Sequence, residues 1–590
     1  MRVVLVLPGS GFRNSSPTSL AGGEHLGLGS IAAYLRQFGH EVHILNFQVE
    51  DSLFRSPRTS DEVTERILAF DPEIVGMSIT GLTISQALDV AAQIKKQRPK
   101  LHICWGSHQA ASCAAEILEN EKWVDTIIAG DGEIPMQKLL EALEQGKPLS
   151  AVPGLWYREF SAAENSLPGM RVVQIKLSSP PVEPDINTLP FPARDTLQDL
   201  LDRDVKISDA RIYTSRGCPF RCTFCVYPAL SYLKKWRDRT ADSIVEEIRQ
   251  LATSYGITHF WFSDDNFTLP TVRGRVRALE LAESLIEAKL GITYRVLMRA
   301  DAVDGQDKLI EALARSGLTC VYMGIESGSP RRLKYLDKHT NPDVYRRAIK
   351  LVRKYRVGLQ VGFIMFDPLT SWEDLEIDAA FLHDTEEAYL YTNYSQILYA
   401  YPGTPVAKQL IEKGLLPANF NYRSGYCEYG YEDPSIGRLA DLMHKSNNKD
   451  WVDVDDVCRR LRMIDVPGLY RLAPENVAED INHEVEAKIL DLNEKGYALI
   501  KALLDLGRTL GSEDQILRLI DSHYRYSLDS LHQLTDTFRL FPNEVVEGLS
   551  ALKYFDTGSP SRTRYAEPVF ESPERTRPLP ASIVASGDCA

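Results

Sequence analysis

Two stretches of alternating strand-like and helix-like segments, separated by a proline-rich passage, most limit how this chain folds. In residues 1–146, β-branched and apolar runs at 3–7, 41–46, 73–78, 101–105 and 124–129 alternate with helix-period segments near 27–38, 60–70, 83–98, 112–120 and 133–145. Five such units predict a parallel, doubly wound α/β sheet with ligands at the carboxyl ends of its strands. Residues 147–205 carry Pro180, Pro181, Pro184, Pro190 and Pro192 and a small hairpin at 154–158 and 172–176, and read as a linker. The rhythm resumes over 206–415. Strands are expected there at 211–215, 259–263, 293–298, 320–325, 359–366 and 392–399, with helices such as 241–255, 272–289 and 306–315 between them.

The loop after the first of these strands carries the chemistry. Arg216-Gly217-Cys218-Pro219-Phe220-Arg221-Cys222-Thr223-Phe224-Cys225 has the spacing C-x3-C-x2-C. Three thiolates on one short loop hold three corners of a [4Fe–4S] cluster and leave the fourth iron open to a small chelating ligand. Structural zinc competes for such thiols, but it wants four closed ligands, and no fourth Cys or His lies nearby. A disulfide would leave one of the three thiols unpaired.

This loop resembles the signature of the radical S-adenosylmethionine (SAM) superfamily. The resemblance implies a partial (β/α)6 barrel, with SAM chelating the open iron through its amino and carboxylate groups and cleaved by the reduced cluster to methionine and a 5′-deoxyadenosyl radical. It implies Phe224 beside the adenine, Asp264 and Asp265 by the SAM ammonium, and Arg299 by the SAM carboxylate or a substrate anion. Glu326 and Ser327 are implied at the ribose hydroxyls or the methionyl end, and Tyr401-Pro402-Gly403-Thr404-Pro405 resembles a closing motif of the barrel. An external electron donor of the flavodoxin or ferredoxin type is implied as well. The bland alternative for each acid is a solvated loop carboxylate or a helix cap. No residue stands out as a catalytic acid or base.

The first domain resembles cobalamin-binding domains. Gly76-Met77-Ser78-Ile79-Thr80 stands where they carry Ser-x-Leu, and Gly106-Ser107 where they carry Gly-Gly; Thr80 and Ser107 are departures. Gly130-Asp131-Gly132-Glu133 and Leu26-Gly27-Leu28-Gly29 resemble loops of cobalamin-binding radical SAM proteins. Aligning the D-x-H-x-x-G motif of other cobalamin enzymes on Gly27 puts Glu24, with His25 next to it, at the cobalt-ligand position. The cobalamin contacts implied are thus Glu24, His25, Gly27, Ser78, Thr80, Gly106, Ser107, Gly130, Gly132 and Glu133.

The whole resembles class B radical SAM methyltransferases over about residues 1–415. The implied activity is cobalamin-dependent methylation of an unactivated carbon or phosphinate centre of a small molecule, in natural-product biosynthesis. Non-methylating cyclisation or rearrangement is the alternative. Only Cys104 and Cys113 precede the cysteine loop, too few for a methylthiotransferase's second cluster. A cobalamin-binding sensor would leave the cysteine loop idle.

Residues 416–558 are rich in helix formers and predict a helical domain near the barrel mouth; residues 559–590, rich in Pro, Ser and Arg, are expected to be disordered. Cys427, Cys458 and Cys589 are too dispersed for an auxiliary cluster. A formal charge of −14 argues against nucleic-acid binding. No apolar run approaches the ~18 residues of a membrane span, and the short apolar start before Pro8 is no secretory segment. Nine cysteines without a disulfide pattern suit a reducing cytoplasm.

Overall fold

A computed structural model describes residues 1–9, 24–54, 58–162, 171–205, 207, 209–230, 235–424, 429–462 and 475–538. The expected tail, Cys427 and Cys589 lie outside these residues.

The first sheet contains β1 (Arg2–Leu7), β2 (Glu41–Asn46), β3 (Ile74–Ser78), β4 (His102–Gly106), β5 (Thr126–Ile128), β6 (Leu155–Ala162) and β7 (Arg171–Leu177) in the order β2-β1-β3-β4-β5-β6-β7. The first five are parallel. Val3 to Leu7 are all buried because helices cover both faces. Leu28, Ala32 and Leu35 pack with Met136, Leu139 and Leu140 on one side. Val63, Ile67, Ala87, Val90 and Ile94 pack on the other. The hairpin expected within the linker, β6–β7, pairs antiparallel with β5 and forms the edge of this sheet.

The second half opens with β8 (Asp209–Ile212). An antiparallel ribbon of β9 (Ser215–Arg216) and β10 (Arg237–Asp238) flanks the cysteine loop. Then come β11 (His259–Phe262), β12 (Thr293–Met298), β13 (Leu318–Glu326) and β14 (Gly358–Phe363). The order β14-β13-β12-β11-β8 is parallel throughout. The sixth strand expected at 392–399 is reduced to one parallel bridge between Phe366 and Ile397. Its first half is the helix Tyr391–Ser395. Asp455 accepts from the Tyr391 amide at 3.2 Å and the Thr392 amide at 2.6 Å, and Tyr391 stacks on Trp451 at 4.4 Å. Tertiary capping outweighs the β-propensity of Tyr and Thr here.

The carboxy-terminal helices pack on the barrel: Leu439, Leu499, Leu503, Leu504 and Ile516 share one apolar core with it. The long helix Glu475–Arg508 runs beside Trp372–Asp384, with Asn493 Oδ1 accepting from the Ala388 amide at 2.8 Å. Among the described residues no helix is long and apolar enough to cross a membrane.

Gly496 brings that long helix against the barrel: a Cβ there would overlap the Ala388 carbonyl. Gly496→Ala is expected to lower stability by about 1–3 kcal/mol despite alanine's better helix propensity. Gly106→Ala, whose methyl would meet nothing within 4 Å, is expected to stay within about 0.5 kcal/mol of wild type. Calorimetric melting of both variants checks this.

Candidate active site

The carboxyl ends of the two sheets meet around the cysteine loop. Arg216, two residues before Cys218, crosses between them. Its guanidinium donates to Glu133 Oε1 at 2.9 Å and Ser30 Oγ at 3.2 Å, and stands 3.3 Å from Asp131 Oδ1. Arg237, paired with Arg216 in the ribbon, donates to Asp131 Oδ2 at 2.6 Å. Burial alone would lower the pKa of Arg216, but the Glu133 and Asp131 carboxylates outweigh it and hold the group above its ordinary value. Nearby, the Tyr227 hydroxyl and His108 Nε2 are 3.1 Å apart.

Backbone contacts fix the cysteine loop. Gly217 is left-handed at φ +89°, and its amide donates to Asp265 Oδ2 at 3.0 Å. The Thr223 amide donates to the Leu336 carbonyl at 3.1 Å, and the Thr223 carbonyl accepts from the Val406 amide at 2.9 Å. Cys218, Cys222 and Cys225 are unbridged and partly exposed. Burial raises all three thiol pKa values, Cys218 to about 11 and Cys225 to about 12, while Lys338 and Arg299 pull Cys222 back down. Such thiols ionise when a bound metal neutralises the charge. Among the described residues no three His, Cys, Asp or Glu side chains stand close enough to share one ion. A cubane instead takes each thiolate on a different iron, so the three thiols of this loop fit a [4Fe–4S] cluster.

The residues expected around SAM divide into two groups. Phe224 lies partly buried against Leu336, Ile364 and Leu398. Arg299 grips Asp301 at 3.0 and 2.9 Å, donates to the Lys338 carbonyl at 2.7 Å and lies 3.7 Å over the Phe220 ring. Glu326, at φ +66° where the β13–β14 register breaks, accepts from Lys338 Nζ at 3.0 Å. These residues and Asp265 border the loop. Asp264 and Ser327 instead turn into the protein. Asp264 accepts from the Thr214 amide, the Thr214 hydroxyl and the Ser215 amide, each at 2.6 Å, and burial raises its pKa. Ser327 Oγ donates to Asp378 Oδ1 at 2.7 Å. Asp378 in turn pairs with Arg332, which also meets Asp367 at 2.8 Å in a fully buried triad. Lys338, beside both Phe224 and Cys222, carries no sequence motif and emerges from the fold alone.

In the first domain, Ser78 and Gly106 are register partners at the ends of β3 and β4. A Cβ on Gly106 would enter open space, a cradle that fits the close approach of a large cofactor. Ser107, standing where the second glycine was expected, holds φ +105°, and its hydroxyl donates to the Ile79 carbonyl. Thr80 is exposed, its amide bonded to Thr83 Oγ1 at 2.9 Å. Gly130 adopts φ +96°, and a Cβ on Gly132 would meet Ile31. Gly27 lies against His25, leaving 3.0 Å from its ideal Cβ to Cε1.

Glu24 is buried away from this cradle. Its Oε2 accepts from Arg194 at 2.6 Å, and burial, opposed by Arg194, raises its pKa. His25 caps the helix Leu26–Arg36: Nδ1 accepts from the Leu28 amide at 3.1 Å, which leaves Nε2–H to donate to Ser78 Oγ at 2.9 Å. Both nitrogens are therefore engaged within the protein, and burial lowers the ring's pKa to about 4.

Residues 20–140 match the model of the B12 binding domain, and residues 212–382 that of the Radical SAM superfamily. An uncharacterized methyltransferase of Pyrococcus horikoshii is 28% identical over 424 residues, 70% of this chain and 84% of that protein. An anaerobic magnesium-protoporphyrin IX monomethyl ester cyclase of Rubrivivax gelatinosus is 26% identical over 57% of this chain and 57% of its own length. The solved cobalamin-dependent S-adenosylmethionine radical enzyme OxsB, with aqua-cobalamin and S-adenosylmethionine bound, shares the fold. It matches at TM-score 0.66 over 93% of this chain and 83% of that one, at 19% identity.

Arg216→Gln would leave the Glu133 carboxylate, 2% exposed, facing no guanidinium, and is expected to cost about 3–5 kcal/mol. Arg216→Gln combined with Glu133→Gln should recover part of that loss in urea denaturation; equal losses would refute the pairing. A second test uses pH. His25 is protonated more readily in the unfolded chain, near pH 6.5, than in the folded one, near 4. Its stabilising contribution is thus full above pH 6.5 and lost as pH falls towards 4. Wild type should lose about 2 kcal/mol more than His25→Asn between pH 7 and pH 5, since Asn still caps the helix. Parallel denaturation curves at the two pH values give the difference.

Proposed function

This chain belongs to the cobalamin-binding radical SAM enzymes, and we propose that it methylates an unactivated carbon, or a phosphinate centre, of a small molecule. Its cofactors are a [4Fe–4S] cluster, SAM and cobalamin. The observation that carries the reading is the Arg216 bridge, which ties the loop after β5 to the stem of the cysteine loop. A methyl carrier and a radical source serve one substrate only if their binding edges adjoin, and this contact joins them. The matched methyltransferase of Pyrococcus horikoshii, covered over most of its length, supports the same activity.

When bound, the cluster and SAM supply the hydrogen-abstracting radical, and cobalamin supplies the methyl group. The chain's own share is placement. Cys218, Cys222 and Cys225 would hold the cluster, with Lys338 and Arg299 favouring the Cys222 thiolate. Phe224, Asp265 and Glu326 would border SAM. Ser78, Gly106 and Ser107 would line the cobalamin cradle, and His25 would act there through Ser78, since neither of its nitrogens is open to cobalt. An external flavodoxin- or ferredoxin-type donor in a reducing cytoplasm would deliver the electron.

Ring formation or rearrangement without methyl transfer is the second reading, favoured by the likeness to the Rubrivivax cyclase. Product counting separates the two. Methyl transfer consumes two SAM molecules per turnover, one released as S-adenosylhomocysteine and one as 5′-deoxyadenosine; ring formation releases only the latter. Anaerobic protein reconstituted with iron, sulfide and hydroxocobalamin is expected to yield both from methyl-labelled SAM. Cys222→Ala should reduce 5′-deoxyadenosine to background. A Cys222→Ala variant with full cleavage would sink both readings.

A further inference from the structure

Four neighbouring barrel strands bring one level of side chains to the concave face. Arg211 of β8 is in register with Trp261 of β11, Trp261 with Arg295 of β12, and Arg295 with Cys320 of β13. Their chain neighbours Ala210, Ile212, Phe260, Phe262, Tyr294, Val296 and Val321 belong to the apolar core shared with the outer helices. Strand alternation therefore turns Arg211, Trp261, Arg295 and Cys320 inward. The Arg295 side chain is 40% exposed although strands flank it on both sides, so solvent reaches this face. Arg211 and Arg295 share one aromatic platform, their guanidinium carbons 5.2 and 3.9 Å from the Trp261 ring centroid. A third guanidinium, Arg459 of the helix Lys449–Arg462, lies within electrostatic reach of Cys320, as Arg295 does, and of Tyr322 two residues along β13.

Negative charge here falls short of positive. Asp209 stands 3.6 Å from Arg295, beyond direct hydrogen bonding. Glu24 acts on Arg211 from a distance but is bonded to Arg194. Glu387 is held by Arg353 at 2.7 Å, and Asp455 by the Tyr391 and Thr392 amides. Among the described residues Arg211 and Arg459 make no ion pair, and the Nε atom of each is buried without a partner. Two guanidiniums on one face, with a third in electrostatic reach, are a local concentration in a chain with net charge −14. Their planar forks match the geometry of an oxyanion.

We propose that Arg211, Arg295 and Arg459 receive an oxyanion of the substrate, a phosphoryl-type or carboxylate group. The inference rests on the radical reading above for what happens to the rest of that substrate. Arg295 lies four residues below Arg299, which stands beside the cysteine loop over Phe220; at ~3.3 Å per residue that is about 13 Å. A substrate anchored by its charged end at this depth extends its uncharged part towards the cysteine loop. Remote charge thereby positions the reacting carbon.

Anaerobic isothermal titration of the reconstituted full chain with inorganic phosphate, and separately with acetate, at constant ionic strength tests this. Saturable binding of one anion is expected, weakened at least tenfold in Arg295→Gln and in Arg211→Gln and restored in part by Arg295→Lys. Arg459→Gln, on a different element, gives the same loss if either strand variant fails to fold. Tighter phosphate binding identifies a phosphoryl-type group, and tighter acetate binding a carboxylate. No saturable binding of either anion, or affinities unchanged in the Gln variants, overturns the proposal. The titration needs no SAM turnover, so its failure is distinct from a failure to form S-adenosylhomocysteine.

Discussion

One buried charge joins the two halves of this protein. Arg216 leaves the barrel two residues before the first cysteine of the loop and ends among the Glu133 and Asp131 carboxylates of the first domain. With the side chains of Arg216 and Glu133 only 16% and 2% exposed, neither charge is stable without the other. The position of the cysteine loop relative to the Gly106 cradle therefore depends on this contact, seconded by Arg237 and by Arg194 between Glu24 and Glu247. Each is a guanidinium with more than one acceptor, and a two-pronged contact restricts rotation as well as distance.

A second set of buried charges stiffens the loops around the site. Asp264 collects three donors at the end of β8, and the Arg332–Asp367–Asp378 triad holds the turn after β13. Asp264 directly precedes Asp265, and Asp378 holds the Ser327 hydroxyl and the Gly328 amide just after Glu326. Glu326 is held at a left-handed φ at the end of β13, and Ser107 likewise just past β4. Order in these loops thus comes from hydrogen-bonded carboxylates beneath them.

Much of the site was legible residue by residue. The cysteine spacing pointed to a cluster because three thiols so close have few other stable uses, and the βα rhythm pointed to parallel sheets because only buried strands are apolar on both faces. What pattern did not reveal was direction. Asp264 and Asp265 are adjacent and alike in sequence, yet one takes the Thr214 and Ser215 amides after β8 and the other the Gly217 amide at the cysteine loop. Glu24 stands at the expected cobalt-ligand position and His25 next to it, yet Glu24 turns to Arg194 and His25 caps its own helix. Lys338 was invisible, since a lysine after a helix has no signature until the chain folds it beside Cys222.

By itself, then, the sequence determined the two parallel sheets, the cysteine loop and the glycine positions, because these depend on local periodicity, ligand spacing and backbone freedom. Tertiary structure alone decided the rest. The first half of the expected sixth strand became a helix because Asp455, more than 60 residues away, caps its amides. The hairpin expected in the linker became a sheet edge because β5 offered it unpaired backbone groups. The arginines of the concave face became neighbours because strand register aligns residues 211 and 295 on either side of Trp261. Long-range contacts of this kind leave no local trace, since the energy that selects them exists only once distant segments meet.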